Sequence, residues 1–370
     1  MTIKPFKDVT PRSDHLLSRR SLLGGAAALA FGAPVGIIAA KALPASGPAP
    51  SIDLGEFPIC RTVATEGVLT GPPKKFKISW NAGSVCLSPV AVAVEKGFFA
   101  KYNLDAELIN YSGSTDQLLE AIATGKSDAG VGMALRWLKP LEQGFDVKIT
   151  AGTHGGCMRI LALTESGIKG IQGLKGKTLA VSDMASPGKN FFSIVMQKNG
   201  IDPTKDVEWR QYPGNLLRLA VEKGEVQALI DGDPNTYLWL KDGKFAEVAS
   251  NLDGEYRDRT CCILGIRGSL IREEPGVANA ITRALLDATM YAVQEPLETA
   301  KVFQPYAANA SLDDLQAMIR YHTHRHHPLG DALKLELKAY ADELKLVSVF
   351  KPGTNTEKFA DRIFANVLGV

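Results

Sequence analysis

Several signatures that would assign an activity at once are missing from this 370-residue chain. No GxSxG, HExxH or GxGxxG occurs, so the hydrolase nucleophile turn, the zinc-protease helix and the dinucleotide-binding turn all lack their residues. The stretch GIQGLKGKT (170–178) is superficially like a phosphate-binding loop, but Ile171 stands where the first glycine is required. It also precedes a strand where such a loop follows one. Cysteine is sparse: Cys60, Cys86, Cys157, Cys261 and Cys262 form neither a CxxC pair nor a zinc-ribbon spacing, and their odd number leaves at least one thiol unpaired even in an oxidising compartment. An excess of one charge is missing too. Lys and Arg number 42 against 40 Asp and Glu, a formal charge of +2.

What is present begins at the N-terminus. A polar, basic stretch ends in Ser18-Arg19-Arg20-Ser21, an Ala/Gly-rich apolar run covers residues 22–40, and Ala40-Lys41-Ala42 offers small residues for cleavage. This is the layout of an export signal, and the paired arginines before a weakly apolar core give it twin-arginine (Tat) character. Glycines and Pro34 weaken the run as a membrane span. Residues 1–42 are therefore read as a signal and the mature protein as periplasmic. Cleavage removes six basic and two acidic residues and turns the charge to −2, so no electrostatic footprint for nucleic acid remains. Residues 43–75, rich in Pro, Gly and Ser, read as a tether or N-terminal extension.

From residue 76 onward strand-like and helix-like segments alternate. Strands are expected at 77–80, 106–111, 128–132, 147–151, 178–182, 207–211 and 226–230. Ser88-Pro89, Ser186-Pro187 and Asp233-Pro234 each place a capping side chain before a proline that suits a first helical turn. Ser114-Thr115-Asp116-Gln117 reads as a capping box, with Gly125 stopping its helix. This alternation argues for mainly parallel sheets with helices on both faces. LLEAIATGKSDA (118–129) and LRLAVEKGEVQA (217–228) also share Leu, Ala, Gly and Ala at a constant offset of 99 residues, in the same helix-stop-strand context. Two similarly built lobes account for that most economically.

In open α/β sheets ligands bind beyond the carboxyl ends of the strands, where loops lead into helix N-termini. Those loops hold small, hydroxylic or polar residues: Ser84, Cys86 and Ser88; Ser112 and Ser114; Gly132 and Met133; His154 and Cys157; Ser186; Asp231 and Asp233. Helix starts of this kind leave N–H groups to face an anion. Taken one at a time they are ordinary caps; together they point to a site.

The segments SPVAVAVEKGFFAKYNLDAELI, GSTDQLLEAIATGKSDAGV, IKGIQGLKGKTLAVS and PGNLLRLAVEKGEVQALIDGDP carry a resemblance, over about residues 76–350, to the solute-binding proteins of ABC importers in the nitrate/sulfonate/taurine group. The resemblance implies a two-lobed periplasmic binding protein of type II. Lobe 1 would comprise 76–160 and 263–350, lobe 2 would comprise 161–262, and 351–370 would form a C-terminal helix. Two crossover strands near 159–163 and 263–267 would serve as a hinge. It further implies that the chain is no enzyme and needs no cofactor, that it is a monomer, and that its partners are a small solute, an ABC permease and its ATPase subunit. The solute would be an anion such as a sulfonate, nitrate or taurine, bound from Ser84, Cys86, Ser88, Ser112, Ser114, Met133, His154, Cys157, Ser186 and Asp231, with Ser186 as the first anion contact.

Two features depart from that pattern. Cys157 and the Cys261-Cys262 pair flank the two expected crossings, where they are open to packing, to disulfide formation or to metal binding. Asp231 and Asp233 would repel a bare anion unless they act as caps, which leaves room for a zwitterionic or cationic ligand. HTHRHH (322–327) concentrates four of the six histidines. In an extended chain His322, His324 and His326 face one side and could share a transition metal; in a helix His322 and His326 would. The competing reading is a set of histidines hydrogen-bonded into the rim of the cleft. Two other functions stay open: an enzyme making the pyrimidine precursor of thiamine, which shares this general fold, and a carrier of a metal or metal complex.

Overall fold

A computed structural model describes residues 67–111 and 115–370, which lie within one compact unit, Thr62–Val370. The signal segment, most of the tether, Cys60, Ser112 and Ser114 lie outside the described residues. None of the described helices is long and apolar enough to cross a membrane.

Among the described residues there are ten strands: β1 (Lys74–Trp80), β2 (Leu104–Asn110), β3 (Ala129–Met133), β4 (Val147–His154), β5 (Met158–Leu163), β6 (Thr178–Val181), β7 (Glu208–Gln211), β8 (Ala228–Gly232), β9 (Phe245–Ser250) and β10 (Cys262–Arg267). The α-helices of the first half are α1 (Ser88–Glu95), α2 (Phe98–Lys101), α3 (Thr115–Ala123), α4 (Ala134–Glu142), α5 (Pro187–Lys198), α6 (Leu217–Glu222) and α7 (Asn235–Lys241). The remainder are α8 (Gly268–Glu273), α9 (Pro275–Gln294), α10 (Pro296–Phe303), α11 (Leu312–Tyr321), α12 (Gly330–Leu346) and α13 (Thr356–Ile363).

The strands form two five-stranded sheets, ordered β2-β1-β3-β10-β4 and β7-β6-β8-β5-β9. Within each sheet one strand runs against the rest, β10 in the first and β5 in the second. Both are the strands that enter directly from the other sheet, so their direction is set by the crossing and not by a βαβ unit. The chain passes between sheets at residues 155–157 and 251–261, just before each stretch expected to cross. Residues 159–163 and 263–267 are themselves interior members of the second and first sheets.

The 99-residue repeat marks equivalent places in the two halves. Leu118 and Leu217, on α3 and α6, are both fully buried, as are Ala129 and Ala228 on β3 and β8. Gly125 and Gly224 both take positive φ, +76° and +74°, the left-handed stop that glycine adopts at little cost. The core that joins these elements runs from Ile78, Trp80 and Leu119 in the first half to Ile160, Leu179 and Phe192 in the second, while Leu161, Leu217 and Leu229 form a smaller cluster on the outer face of the second sheet.

Candidate functional site

Close backbone approach fixes the geometry of the crossing. A β-carbon on Gly155 would stand 2.1 Å from Thr323 Oγ1 and 2.3 Å from the Arg257 carbonyl, and one on Gly156 would stand 1.8 Å from the Asn251 carbonyl. Only glycine lets the two crossing segments touch. Asn251 then ties them together, its side-chain oxygen accepting from the Met158 N–H at 2.7 Å.

In front of this hinge lies a cavity of about 320 Å³, bounded by the C-terminal ends of β1, β3, β6 and β8 and the helix starts that follow them. Lobe 1 supplies Asn81, Ser84, Cys86, Gly132 and Met133; lobe 2 supplies Ser182, Asp183, Ser186, Gly188, Asp231 and Asn235; the first crossing supplies Cys157, and Met158 and Cys262 open the strands that follow the two crossings. Ser84, Cys86, Met133, Cys157, Ser186 and Asp231 are thus brought together around one space. Ser88 is not among its lining; its hydroxyl is buried at the start of α1 with no hydrogen-bond partner. His154 is fully buried behind the cavity floor and does not reach the surface of the space.

On the lobe 2 side α5 starts at the cavity edge. Ser186 is its N-cap, with Oγ accepting from the Lys189 N–H at 3.3 Å and Pro187 following as the first helical residue. The first turn then leaves the Gly188 N–H without an intrahelical acceptor, at the positive end of a 12-residue helix. A β-carbon on Gly188 would meet Ile230 Cγ2 at 2.5 Å, so glycine is what allows α5 to sit against β8 here.

Asp231 accepts from its neighbour's Gly232 N–H and from Asn235 Nδ2, both at 2.9 Å. Burial pushes its carboxyl pKa up to about 6, against these two hydrogen bonds. Asp233 is differently employed. Its Oδ1 receives Arg159, Thr236 Oγ1 and the Tyr237 N–H, and its Oδ2 receives the Tyr321 hydroxyl and His322 Nε2. Burial alone would raise its pKa, but His322 and Arg159 outweigh it and hold it down to about 2. This carboxylate is a structural anchor between α7 and α11, not a group available to a ligand. Asp183, which sequence reasoning did not single out as a site residue, lines the cavity and bridges the lobes through Arg136 Nη1 at 3.0 Å. Asn190 Nδ2 makes a second bridge to the Leu135 carbonyl at 3.0 Å. No local pattern marks Arg136 or Asn190; their roles arise where α4 and α5 meet.

The HTHRHH stretch is neither a strand nor a helix. It forms a turn, with His324 N–H donating to the His322 carbonyl and His326 N–H to the Thr323 carbonyl. Its histidines take separate partners: His322 meets Asp233, His324 Nε2 meets the Cys86 carbonyl at 3.2 Å, and His326 Nε2 meets Glu336 at 2.9 Å. His322 and His324 lie 5.8 Å apart between ring centroids, while His326 turns to Glu336; with each ring engaged by its own partner, the turn fits the rim-bonded reading. His324, buried beside His154 and His322, has its pKa pushed down to about 3, first by burial and then by those rings.

His322 and His324 instead enclose His154, with ring centroids 6.3 and 5.5 Å away. Next to them four buried cysteines, Cys86, Cys157, Cys261 and Cys262, remain free thiols. Cys157 Sγ lies 3.9 Å from Cys261 Sγ, so the two crossings do bring these residues face to face. Hydrogen bonds from Cys157 and Cys262 pull the Cys86 thiol well below its ordinary pKa.

A family model described as "NMT1/THI5 like" matches residues 86–299. The bicarbonate transport ATP-binding protein of Synechococcus elongatus is 25% identical over 237 residues, which are 58% of this chain and 35% of that protein; the chain thus spans about a third of the length of the curated relatives it matches. Among solved structures, the alkanesulfonate-binding protein of Xanthomonas axonopodis pv. citri superposes with a TM-score of 0.66 at 18% identity, over 80% of this chain and 99% of that one. The periplasmic nitrate-binding protein of Synechocystis PCC 6803 gives 0.66 at 14% identity, over 80% and 88%. At these identities the likeness is one of fold, that of the two-lobed periplasmic binding proteins.

Proposed function

Since this chain belongs to the NMT1/THI5-like family, we propose that it is the substrate-binding component of an ABC importer, which takes up one small solute between its lobes and presents it to a permease driven by an ATPase. The observation that carries this reading is the cavity itself. It lies at the carboxyl ends of four strands from two separate sheets, the place where open α/β sheets hold ligands, and is closed behind by a glycine hinge. A periplasmic location reached through a Tat-type signal, and a monomeric state, belong to the same proposal.

The lining narrows the solute. Among the described residues no lysine, arginine or histidine lines the cavity, while Asp183, Asp231 and Asp233 do, the last with both carboxylate oxygens already engaged. An anionic group is therefore held by dipoles, from the Ser186 hydroxyl and the Gly188 N–H at the start of α5, and not by a paired cation. Asp231, with its pKa near neutrality, suits a donor or an ammonium group at the other end of the molecule. A small amino-sulfonate such as taurine satisfies both ends; an alkanesulfonate or nitrate satisfies one. The fold relatives named for sulfonate and nitrate binding support this choice of class. The arrangement suits a carrier, with the solute held between the start of α5 and Asp231, whose remaining acceptor capacity lies beyond its bonds to Gly232 and Asn235.

Isothermal titration of the purified full chain with taurine, short alkanesulfonates, nitrate, bicarbonate and pyrimidine phosphates tests it. One-to-one saturation by a sulfonate, weakened about tenfold by Ser186→Ala, is expected. Absence of binding to the anions together with turnover of a pyrimidine precursor would replace the carrier by an enzyme.

A further inference from the structure

We propose that Cys86, His154 and Cys157 form a site for one thiophilic divalent transition-metal ion, of the zinc class, set into the floor of the cleft. Cys86 Sγ, a ring nitrogen of His154 and Cys157 Sγ all lie within 4.8 Å of one another. His154 and Cys157 lie three residues apart, at the end of β4 and in the crossing that follows it, and the fold brings Cys86, from the turn after β1, against that pair.

All three are nearly inaccessible, at 4%, 0% and 2% exposure. Neither ring nitrogen of His154 has a partner at good hydrogen-bond geometry; its polar company is the Cys86 thiol, itself one of the three ligands, and the Gly155 backbone. A buried polar group left unmatched is costly, and native structures rarely carry one without a role. A bound ion would supply the missing partner. Two thiolates and an imidazole are the donor set that zinc-class ions take in proteins. Two thiolate charges also neutralise a divalent cation, which removes the cost of burying it uncompensated.

The histidines of the HTHRHH turn become the support of this site. His324 holds the backbone carbonyl of Cys86, and its ring and that of His322 pack around His154. Outer groups that fix the orientation of ligands are a regular part of metal sites. Cys86 and Cys157 line the cavity while His154 lies behind it, so the remaining coordination position faces the solute space. Three protein ligands with one open position form an exchangeable site in place of a closed structural one. The ion would give the cavity a positive centre that its side chains lack. The metal site stands whether or not the importer reading holds, because it rests on the three buried side chains alone. A Cys157–Cys261 disulfide is the rival arrangement; it would leave His154 still unmatched and Cys86 alone.

The full chain, purified with its thiols reduced and stripped with chelator, is titrated with Zn²⁺ and with Co²⁺, and bound metal is counted by mass spectrometry of the intact protein. One equivalent of either ion, with a thiolate-to-cobalt charge-transfer band, is expected. Cys86→Ser and Cys157→Ser should each weaken zinc binding more than about 100-fold, beyond the 10–100-fold loss typical of an outer-shell change, whereas His326→Gln should bind as the parent does. Should the cysteine variants fail to fold, X-ray absorption of the zinc-loaded parent decides, with two sulfur and at least one nitrogen ligand expected. No stoichiometric binding, binding unchanged in both folded cysteine variants, or a metal-free chain two hydrogens lighter from a Cys157–Cys261 disulfide would each overturn the proposal.

Discussion

Asp231 is the residue whose environment most directly ties stability to the cavity. Its folded pKa, about 6, stands above the ordinary aspartate value of 3.8, so the folded state favours the protonated carboxyl. That contribution is present at low pH and is lost as pH rises through 6; at pH 7.5 the ionised group destabilises the empty protein. The residue as a whole is only half-buried, which limits the effect to about 1–2 kcal/mol. Asp231→Asn should therefore raise the melting temperature of the solute-free chain at pH 7.5, and the gain should shrink to nothing near pH 4. A gain unchanged across that range would mean that charge is not the cause. The same substitution should weaken an ammonium-bearing solute more than a plain sulfonate, measured by titration calorimetry of both. At this scale the sequence was informative where the cue was local, as with the Ser186-Pro187 cap, which does start α5. It was silent on Arg136 and Asp183, whose pairing exists only because α4 and the loop between β6 and α5 come from opposite lobes.

Among the elements, the two crossing segments do most to position the site. Gly156 packs its α-carbon against the backbone of Asn251 so tightly that any side chain must displace the second crossing. Gly156→Ala should cost about 1–3 kcal/mol, the usual penalty for overpacking a filled interior, seen as a lower urea midpoint with an unchanged slope. Gly214→Ala, at the start of a turn with open space around its α-carbon, should change the midpoint little. Equal effects at both positions would show that the close approach at 155–156 is not what holds the lobes. Strand positions were largely legible from period, since β1, β2, β3, β4, β6, β7 and β8 all overlap their expected segments; the expected Ser88 cap is not formed, because α1 starts one residue early, at Ser88 itself, with Leu87 before it and no side-chain cap. The reversed strands β5 and β10 were not legible, because strand direction is decided by which sheet the chain has just left and leaves no trace in local periodicity. HTHRHH shows the same limit: both regular geometries gave a shared metal, and the turn that the chain adopts gives three separate partners.

For the molecule as a whole, the repeat at 99 residues announced two lobes, and the paired sheets are built on it. What lies between them could not be read from either copy, since the cavity and the buried thiol-imidazole cluster are made of residues from both halves and from the crossings. The account rests on that shared space holding one small guest. Native mass spectrometry of the full chain recovered from the cells that make it tests this most directly, because it weighs solute and metal on the same molecule. A chain carrying a single small organic anion, displaced when an excess of a competing sulfonate is added, is the expected result. A chain that arrives bare and stays bare on exposure to every solute in the calorimetric series would contradict it.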